Sequence, residues 1–190
     1  DDGNVKSVLI QPDLSGTCTT SLNIFVMKKD FLIDMISDSM SRGNVSFERN
    51  ILQEKCGELK IKTYEYSQYF RKITNFQSYF KANMELLNSE NAKCLYPPRK
   101  PIYTKVSDNA PAKYDLDCSV KNSMVADGCI IEGEVENSIL FRGVKVGKGA
   151  KVKNCILMQG TEVGDNAEIN YLITDKNVKI SEKHILTSAE

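Results

Sequence analysis

The sequence predicts an α+β/all-β fold, with an α/β unit over residues 1–95 followed by a parallel β-helix over residues 119–190. Four similar segments recur about every sixteen residues between Ser119 and Ile180, and such short repeats are typical of a solenoid. Residues 96–101, Tyr-Pro-Pro-Arg-Lys-Pro, cannot form a helix and mark a change in pattern. We therefore assign residues 96–118 to an extended crossing between the two domains.

The repeat consists of an asparagine, an aliphatic run and a turn, followed by a hexapeptide. The hexapeptides at residues 146–151 and 163–168 are the clean copies, and residues 131–136 form a looser one. We expect the first aliphatic residue and the fifth, small residue of each copy to point inward, with glycine and asparagine at turns of positive φ. An antiparallel sheet of regular hairpins is the alternative. The register held through four coils favours the β-helix, whose coils must stack because each alone buries little surface.

The first half of the chain predicts an incomplete layered α/β sheet. The predicted elements are strands at residues 5–11, 21–27 and 59–66, helices at 28–40, 46–55 and 75–87, and a further strand at 102–106. Asp30 and Asn75 are the expected N-caps, and Phe76 belongs to an apolar stripe on the third helix. The sequence shows no glycine-rich phosphate loop, so we expect these residues to be the later part of a longer protein.

The overall composition excludes several functional classes. Acidic and basic residues balance at 25 each, so no net field favours nucleic acid or a membrane surface. No apolar run is long enough to span a bilayer, and the first residues do not resemble a signal peptide. Six cysteines without CxxC spacing predict free thiols in a reducing compartment, the cytoplasm. The single histidine, His184, argues against an imidazole metal site, and we expect it to lie beyond the last repeat, where the chain frays after Ile180.

Several segments resemble motifs of one enzyme family. Residues 79–86, Tyr-Phe-Lys-Ala-Asn-Met-Glu-Leu, are similar to a helix of the glucose-1-phosphate adenylyltransferase (ADP-glucose pyrophosphorylase) family. Residues 101–104, 111–114, 123–131 and 138–141 resemble further segments of it. The resemblance implies the C-terminal part of a nucleotidyltransferase-like α/β domain and then a left-handed β-helix. It also implies transfer of an adenylyl group from ATP to glucose 1-phosphate with Mg²⁺, releasing pyrophosphate.

The charged motifs of that family are mostly absent from this chain. Its Glu-Lys-Pro motif falls on residues 10–12, Ile-Gln-Pro, and its Asp-Phe-Gly-Lys-Asp motif falls on residues 46–50 without the carboxylates. Its Trp-Arg-Asp-Val-Gly-Thr motif falls on residues 70–75, so Lys72 replaces the metal-binding aspartate. An ammonium group cannot ligate magnesium and would repel it. These departures resemble a subgroup of the family, in glycogen biosynthesis, that keeps the fold without the catalytic charges. We therefore expect no catalytic residue, metal or cofactor in this stretch.

The remaining candidate sites are substrate or effector contacts. Ser21 is the one polar residue retained from the family's substrate strand, with a backbone-bonded serine as the alternative. Arg71 and Lys72 are candidates for anion binding, with a solvated pair as the alternative. By the family's pattern a sugar-phosphate effector would act between the domains, and basic residues suited to it, or to a plain exposed basic surface, are Arg99, Lys100, Lys105 and Arg142.

Three functions remain open from the sequence. The first is a regulatory or assembly subunit that forms a homo-oligomer or a hetero-oligomer with a catalytic adenylyltransferase subunit. The second is an active adenylyltransferase, of which this is the C-terminal half. The third is a hexapeptide acyltransferase, which would require a trimer. The missing carboxylates favour the first, and we expect this stretch itself to be inactive and to act without nucleic acid or membrane.

Overall fold

A computed structural model describes residues 3–10, 19–105 and 108–188. The chain divides into two compact units, Asp1–Ser67 and Gln68–Glu190. This division falls after residue 67, whereas the sequence places its first boundary after residue 95. The predicted domain limits stay a prediction.

The first unit contains two helical segments where the sequence predicts helices. Helix α1 spans Lys29–Ser41 and a π-helix spans Glu48–Gln53. The prediction that Asp30 caps α1 is wrong, because the N-cap is Lys28 and no side chain bonds the free amides there. Asp30 instead lies in the first turn, where its negative charge still favours the positive end of the helix dipole.

The strands predicted in the first unit do not form. Within its described residues the only pairing is an antiparallel bridge between Asn4 and Lys62, beside a hydrogen bond of 2.9 Å from Val5 N to Ile61 O. The apolar run at residues 21–27 has no strand beside it, and Val26 is 97% exposed. A strand needs a neighbour to accept its hydrogen bonds, so an apolar sequence alone does not produce one. Gln11, at the end of the first predicted strand, lies outside the described residues.

Three short helices begin the second unit. Helix α2 spans Phe76–Met84, a 3₁₀ turn spans Glu85–Leu87, and helix α3, which the sequence did not predict, spans Ser89–Leu95. The Asn75 cap is confirmed. Asn75 Oδ1 accepts a hydrogen bond of 2.7 Å from Ser78 N, and Ser78 Oγ accepts one of 3.0 Å from Asn75 N. Phe76 is 84% exposed, so its assignment to the buried stripe of this helix is wrong.

A parallel β-helix follows, as predicted. Its strands in chain order are β1 Lys113–Tyr114, β2 Ser119–Lys121, β3 Met124–Val125, β4 Ile130–Ile131, β5 Glu134–Glu136, β6 Ile139–Leu140, β7 Lys145–Val146, β8 Lys151–Lys153, β9 Ile156–Leu157, β10 Glu162–Val163, β11 Glu168–Asn170, β12 Lys179–Ile180 and β13 Ile185–Thr187. They form three parallel sheets, β1-β4-β7-β10-β12, β2-β5-β8-β11-β13 and β3-β6-β9. The third sheet is extended by a bridge between Ile156 and Ile173, so four coils stack and two strands of a fifth follow. The predicted left hand of the coil stays a prediction.

Two details of the coil differ from the sequence prediction. The spacing between stacked residues is 17 in most coils, as for Glu134 and Lys151, and falls to 15 between Ser119 and Glu134 because the turn at residues 132–133 is two residues shorter. The chain does not fray after Ile180, since β13 pairs with β11 in register. Residues 102–105 form no strand, and residue 106 lies outside the described residues.

The coil interior contains the residues that the hexapeptide pattern places there. Val146, Ala150, Val163 and Ala167 are all at most 3% exposed, which confirms the predicted inward positions. Positive φ occurs at the corners, mostly at asparagines and glycines as expected, and also at Tyr171 and Lys183. The five cysteines within the described residues are free, as predicted. The interior is therefore a mainly apolar stack that holds successive coils in register.

Candidate anion site at Arg71 and Glu85

The predicted anion-binding residue Arg71 lies in the second unit and binds a carboxylate of the same chain. Its Nε and Nη2 donate hydrogen bonds of 2.5 and 3.0 Å to Glu85 Oε2 and Oε1. Tyr69 Oη lies 3.0 Å from the same Oε2, and the guanidinium lies over the Tyr69 ring, 5.5 Å from its centroid. Three donors from two side chains thus converge on one carboxylate, in the two-pronged arrangement that favours arginine over lysine.

The Glu85 carboxylate is ionised in this setting. Its hydrogen bond with Arg71 is the main cause that lowers the pKa of Glu85, and the positive charge of Lys81 contributes further. The same bond raises the pKa of Arg71. Burial, followed by the hydrogen bond to Glu85, raises the pKa of the Tyr69 hydroxyl. The cluster therefore holds one negative charge among donors and cations.

The local fold explains how these residues meet. Glu85 begins the 3₁₀ turn that continues α2, and its backbone oxygen accepts a hydrogen bond of 3.0 Å from Asn91 Nδ2 of helix α3. This hydrogen bond ties the 3₁₀ turn to helix α3. The segment before α2, with Tyr69 and Arg71, belongs to no helix or strand, and its side chains reach the carboxylate from this preceding stretch.

Lys72, where the resemblance places a metal-binding aspartate, is exposed. In the described part of the chain its ammonium forms no ion pair. Within residues 3–10, 19–105 and 108–188, no three histidine, cysteine, aspartate or glutamate side chains are grouped as metal ligands.

The other predicted basic residues lie elsewhere in the second unit. Arg99, Lys100 and Lys105 are exposed on the irregular stretch before the β-helix. Arg142 is half-buried at the corner between β6 and β7, and its backbone oxygen accepts a hydrogen bond of 3.0 Å from Gly160 N. The contacts within the described ranges join none of these four side chains to Arg71. Their role in effector binding stays a prediction.

Ser21, the candidate sugar contact, lies in the first unit. It is exposed, and its hydroxyl oxygen accepts a hydrogen bond of 3.1 Å from the backbone of Asn23. Its contact with a sugar stays a prediction.

An aromatic contact joins the helical segment to the coil. Phe80 of α2 meets Tyr171 with ring centroids 6.0 Å apart. Tyr171 has φ +54° at the corner where earlier coils place Asn122, Asn137 and Asn154, whose amides hydrogen-bond one another at 2.9 and 2.6 Å. Ile156 of the neighbouring third sheet is fully buried, although it alternates with the inward Leu157 and so faces away from the interior. An apolar residue that faces away from the interior is therefore buried in the strand next to the corner that contacts α2.

Sequence reasoning identified Arg71 but not its partners. Glu85 is fourteen residues away, and Tyr69 carries no motif signal. The one signal in the sequence was that Glu85 is an acidic residue at the end of the helix that Asn75 caps. Such a residue can pair with any cation, so this signal does not point to Arg71. The same reasoning gave no indication of the contact between Phe80 and Tyr171.

Comparison with known proteins agrees with the fold. The family of GlmU-like C-terminal hexapeptide proteins matches residues 109–187. The glycogen biosynthesis protein GlgD of Bacillus subtilis (strain 168) is 48% identical over 162 residues, covering 85% of this chain and 47% of that protein. GlgD of Geobacillus stearothermophilus is 42% identical over 132 residues, covering 70% of this chain and 38% of that protein.

A more distant relative is an enzyme by name. The glucose-1-phosphate adenylyltransferase of Fusobacterium nucleatum is 29% identical over 155 residues, covering 80% of this chain and 40% of that enzyme. This chain thus spans less than half the length of each of these relatives. Within the described residues, no helix is long and apolar enough to cross a bilayer. By its sequence, the chain belongs to the family that comprises the GlgD glycogen biosynthesis proteins and the glucose-1-phosphate adenylyltransferases.

Proposed function

We propose that this chain is the C-terminal part of a GlgD-like subunit that acts in glycogen biosynthesis by regulation or assembly and does not itself catalyse adenylyl transfer. The observation that carries the proposal is the charge at one position. Lys72 is exposed where the resemblance places a metal-binding aspartate, and the neighbouring Arg71 is held by Glu85. The identity to GlgD proteins supports the same conclusion.

The residues at this position do not fit a magnesium ion. Magnesium binds oxygen donors, whereas a protonated lysine has no lone pair to offer and carries the same sign of charge as the ion. No step of nucleotidyl transfer is therefore assigned to these side chains. If the complete protein uses magnesium and ATP, the ligands belong to other residues.

The open edges of the coil support assembly with another chain. Among the described residues, β12 and β13 each have a hydrogen-bonded neighbour on one side only. Unpaired strand edges usually need a partner or a cover. We propose that the partner is a catalytic adenylyltransferase subunit or a second copy of this protein, that the assembly is cytoplasmic, and that a sugar phosphate is its effector.

The test uses the full-length protein that contains this chain, alone and with the catalytic subunit of the same organism. ADP-glucose formation is measured at saturating ATP, glucose 1-phosphate and magnesium. We expect no turnover from the protein alone and a change in the kcat or KM of the catalytic subunit when the two are mixed. A Lys72→Met variant serves as the control, because it should leave the absence of turnover unchanged.

The second candidate is an active adenylyltransferase, which the similarity to the Fusobacterium nucleatum enzyme favours. It predicts turnover by the full-length protein alone, together with stoichiometric calorimetric binding of glucose 1-phosphate in the presence of magnesium. Such turnover, lost on mutation of carboxylates elsewhere in the protein, would overturn the regulatory proposal. Absence of both binding and turnover would exclude the hypothesis of an active adenylyltransferase.

A further inference from the structure

We propose that Arg71, Tyr69 and Lys81 form a latent binding site for a phosphate group, and that Glu85 occupies this site as an internal anion. The site would take inorganic phosphate or a phosphomonoester when the Glu85 side chain is displaced. This inference deepens the proposed function, because a regulatory subunit needs a site that an anionic effector can fill. Its chemistry nevertheless stands on the contacts around Glu85.

The donor geometry at Glu85 is that of an anion site. Two guanidinium nitrogens reach the two carboxylate oxygens at 2.5 and 3.0 Å, and the Tyr69 hydroxyl adds a third contact at 3.0 Å. A phosphate group presents oxygens to an arginine in the same two-pronged manner. A carboxylate is therefore a close chemical substitute for phosphate at these donors.

The positive charge around Glu85 exceeds the one negative charge that its carboxylate supplies. Lys81 stands four residues before Glu85 on the same helical stretch, a spacing that brings the two side chains to one face. Its positive charge contributes to lowering the pKa of Glu85. Arg71 and Lys81 thus bring two positive charges to a carboxylate that carries one negative charge. A dianionic phosphate would neutralise more of this charge than the carboxylate does.

The alternative is a salt bridge that only fastens the segment before α2 to the 3₁₀ turn. The two interpretations differ in whether Arg71 must be accessible to a ligand and in what loss of Glu85 would do. The Arg71 side chain is 52% exposed while that of Glu85 is 19% exposed, so the guanidinium keeps an open side from which a ligand can approach. A fastening role predicts that loss of Glu85 lowers stability without creating affinity for phosphate.

Displacement of Glu85 would also reach the β-helix. Glu85 directly follows α2, and Phe80 of α2 contacts Tyr171 of the coil. A ligand that competes for Arg71 would therefore release a turn that is joined to the helix resting on the coil. This gives phosphate binding a physical route to a structural response within the second unit.

The test titrates inorganic phosphate into the full-length protein by calorimetry. We expect the Glu85→Gln variant to bind phosphate about tenfold more tightly than the parent, because a competing charged hydrogen-bond partner has been removed. Glu90→Gln is the matched control. Glu90 forms an exposed ion pair with Lys93 at 3.2 Å, so its loss should leave phosphate affinity unchanged. The double variant Glu85→Gln/Arg71→Met should bind phosphate no more tightly than the parent.

A second variant covers the case in which Glu85→Gln does not fold. Glu85→Asp keeps the charge but shortens the side chain, so the carboxylate competes less well for the Arg71 donors, and we expect phosphate affinity to rise about two- to threefold. Equal phosphate affinity of the parent and both variants would overturn the proposal. So would a gain that persists without Arg71. Phosphate binding as expected, with no effect on a catalytic subunit, would instead contradict the proposed regulatory function alone.

Discussion

Gly133 gives the sharpest test of how the coil is built. It lies in the two-residue turn between β4 and β5, where the other coils have four residues, so the chain passes closer to its neighbour. A Cβ added at this position would lie 2.7 Å from Gly147 O and closer still to Ala150 O. Ordinary carbon–oxygen contacts are roughly 3.3 Å or longer, so the backbone of one coil must move.

The expected cost follows from the groups that must move. Ala150 O accepts a hydrogen bond of 2.8 Å from Glu134 N, which holds the second and third coils together. Overpacking costs about 1–3 kcal/mol and loss of one backbone hydrogen bond about 1 kcal/mol. We therefore expect Gly133→Ala to lower the free energy of unfolding of the coil by about 2–4 kcal/mol.

Gly143 is the matched control, because its backbone conformation disfavours a side chain whereas the space around it does not. Its φ is +68°, but nothing lies within 4 Å of the added Cβ. Gly143→Ala should cost about 1–2 kcal/mol from the left-handed backbone alone. Gly143→Asn should recover most of that loss, since asparagine tolerates this conformation and Asn177 adopts it at the same corner two coils further along. Gly133→Asn should recover nothing.

Urea unfolding followed by hydrogen exchange of peptides covering residues 130–157 measures these changes within the coil. The exchange readout is needed because the chain has two compact units whose transitions would overlap in a global signal. If Gly133→Ala proves as stable as the parent, or Gly133→Asn no worse than Gly143→Asn, the close approach of the two coils is not what requires glycine.

Three further predictions concern other parts of the second unit. Asn137→Ala should cost about 2 kcal/mol in a urea titration, because Ala at φ +47° also loses two amide hydrogen bonds, and Asn137→Gly should recover about half. Phe80→Ala and Tyr171→Ala, measured singly and together, should show an interaction energy of about 1 kcal/mol in the free energy of unfolding. Additive effects would show that the ring contact does not stabilise the fold. Burial raises the pKa of Cys155 from 9.0 to about 11, so the unfolded thiol ionises first and stability should fall as pH rises from about 9 to 11. Cys155→Ala should reduce that slope and leave the part that comes from Cys129, whose pKa burial also raises.

The β-helix was predictable because its rules are local. Each coil repeats one pattern, so an inward residue such as Val146 or Ala150 is fixed by its place within six residues. The corner asparagines follow from the same pattern, since the turn requires positive φ. The change in spacing at residues 132–133 was visible only as a looser copy, because a two-residue deletion leaves the inward positions of Ile131 and Val135 intact.

The first unit and the Arg71 cluster depend on longer-range partners. Residues 21–27 have the composition of a buried strand, but strand formation depends on a neighbouring segment that sequence periodicity does not supply. The contact from Arg71 to Glu85 spans fourteen residues and requires the 3₁₀ turn after α2. The cap at Asn75 was predictable for the opposite reason, since donor and acceptor are three residues apart.

His184 shows how a residue that departs from the repeated pattern is accommodated in the fifth coil. By register His184 follows Ala150 and Ala167 in the inward column, and its backbone oxygen accepts a hydrogen bond of 2.8 Å from Glu168 N as the column requires. The two alanines are fully buried, whereas His184 is exposed. An imidazole is too large and too polar for an enclosed space that holds a methyl group. Among the described residues no coil stacks beyond β12 and β13, so the repeat can carry a histidine at this position without enclosing it, and the backbone hydrogen bond of the column is kept.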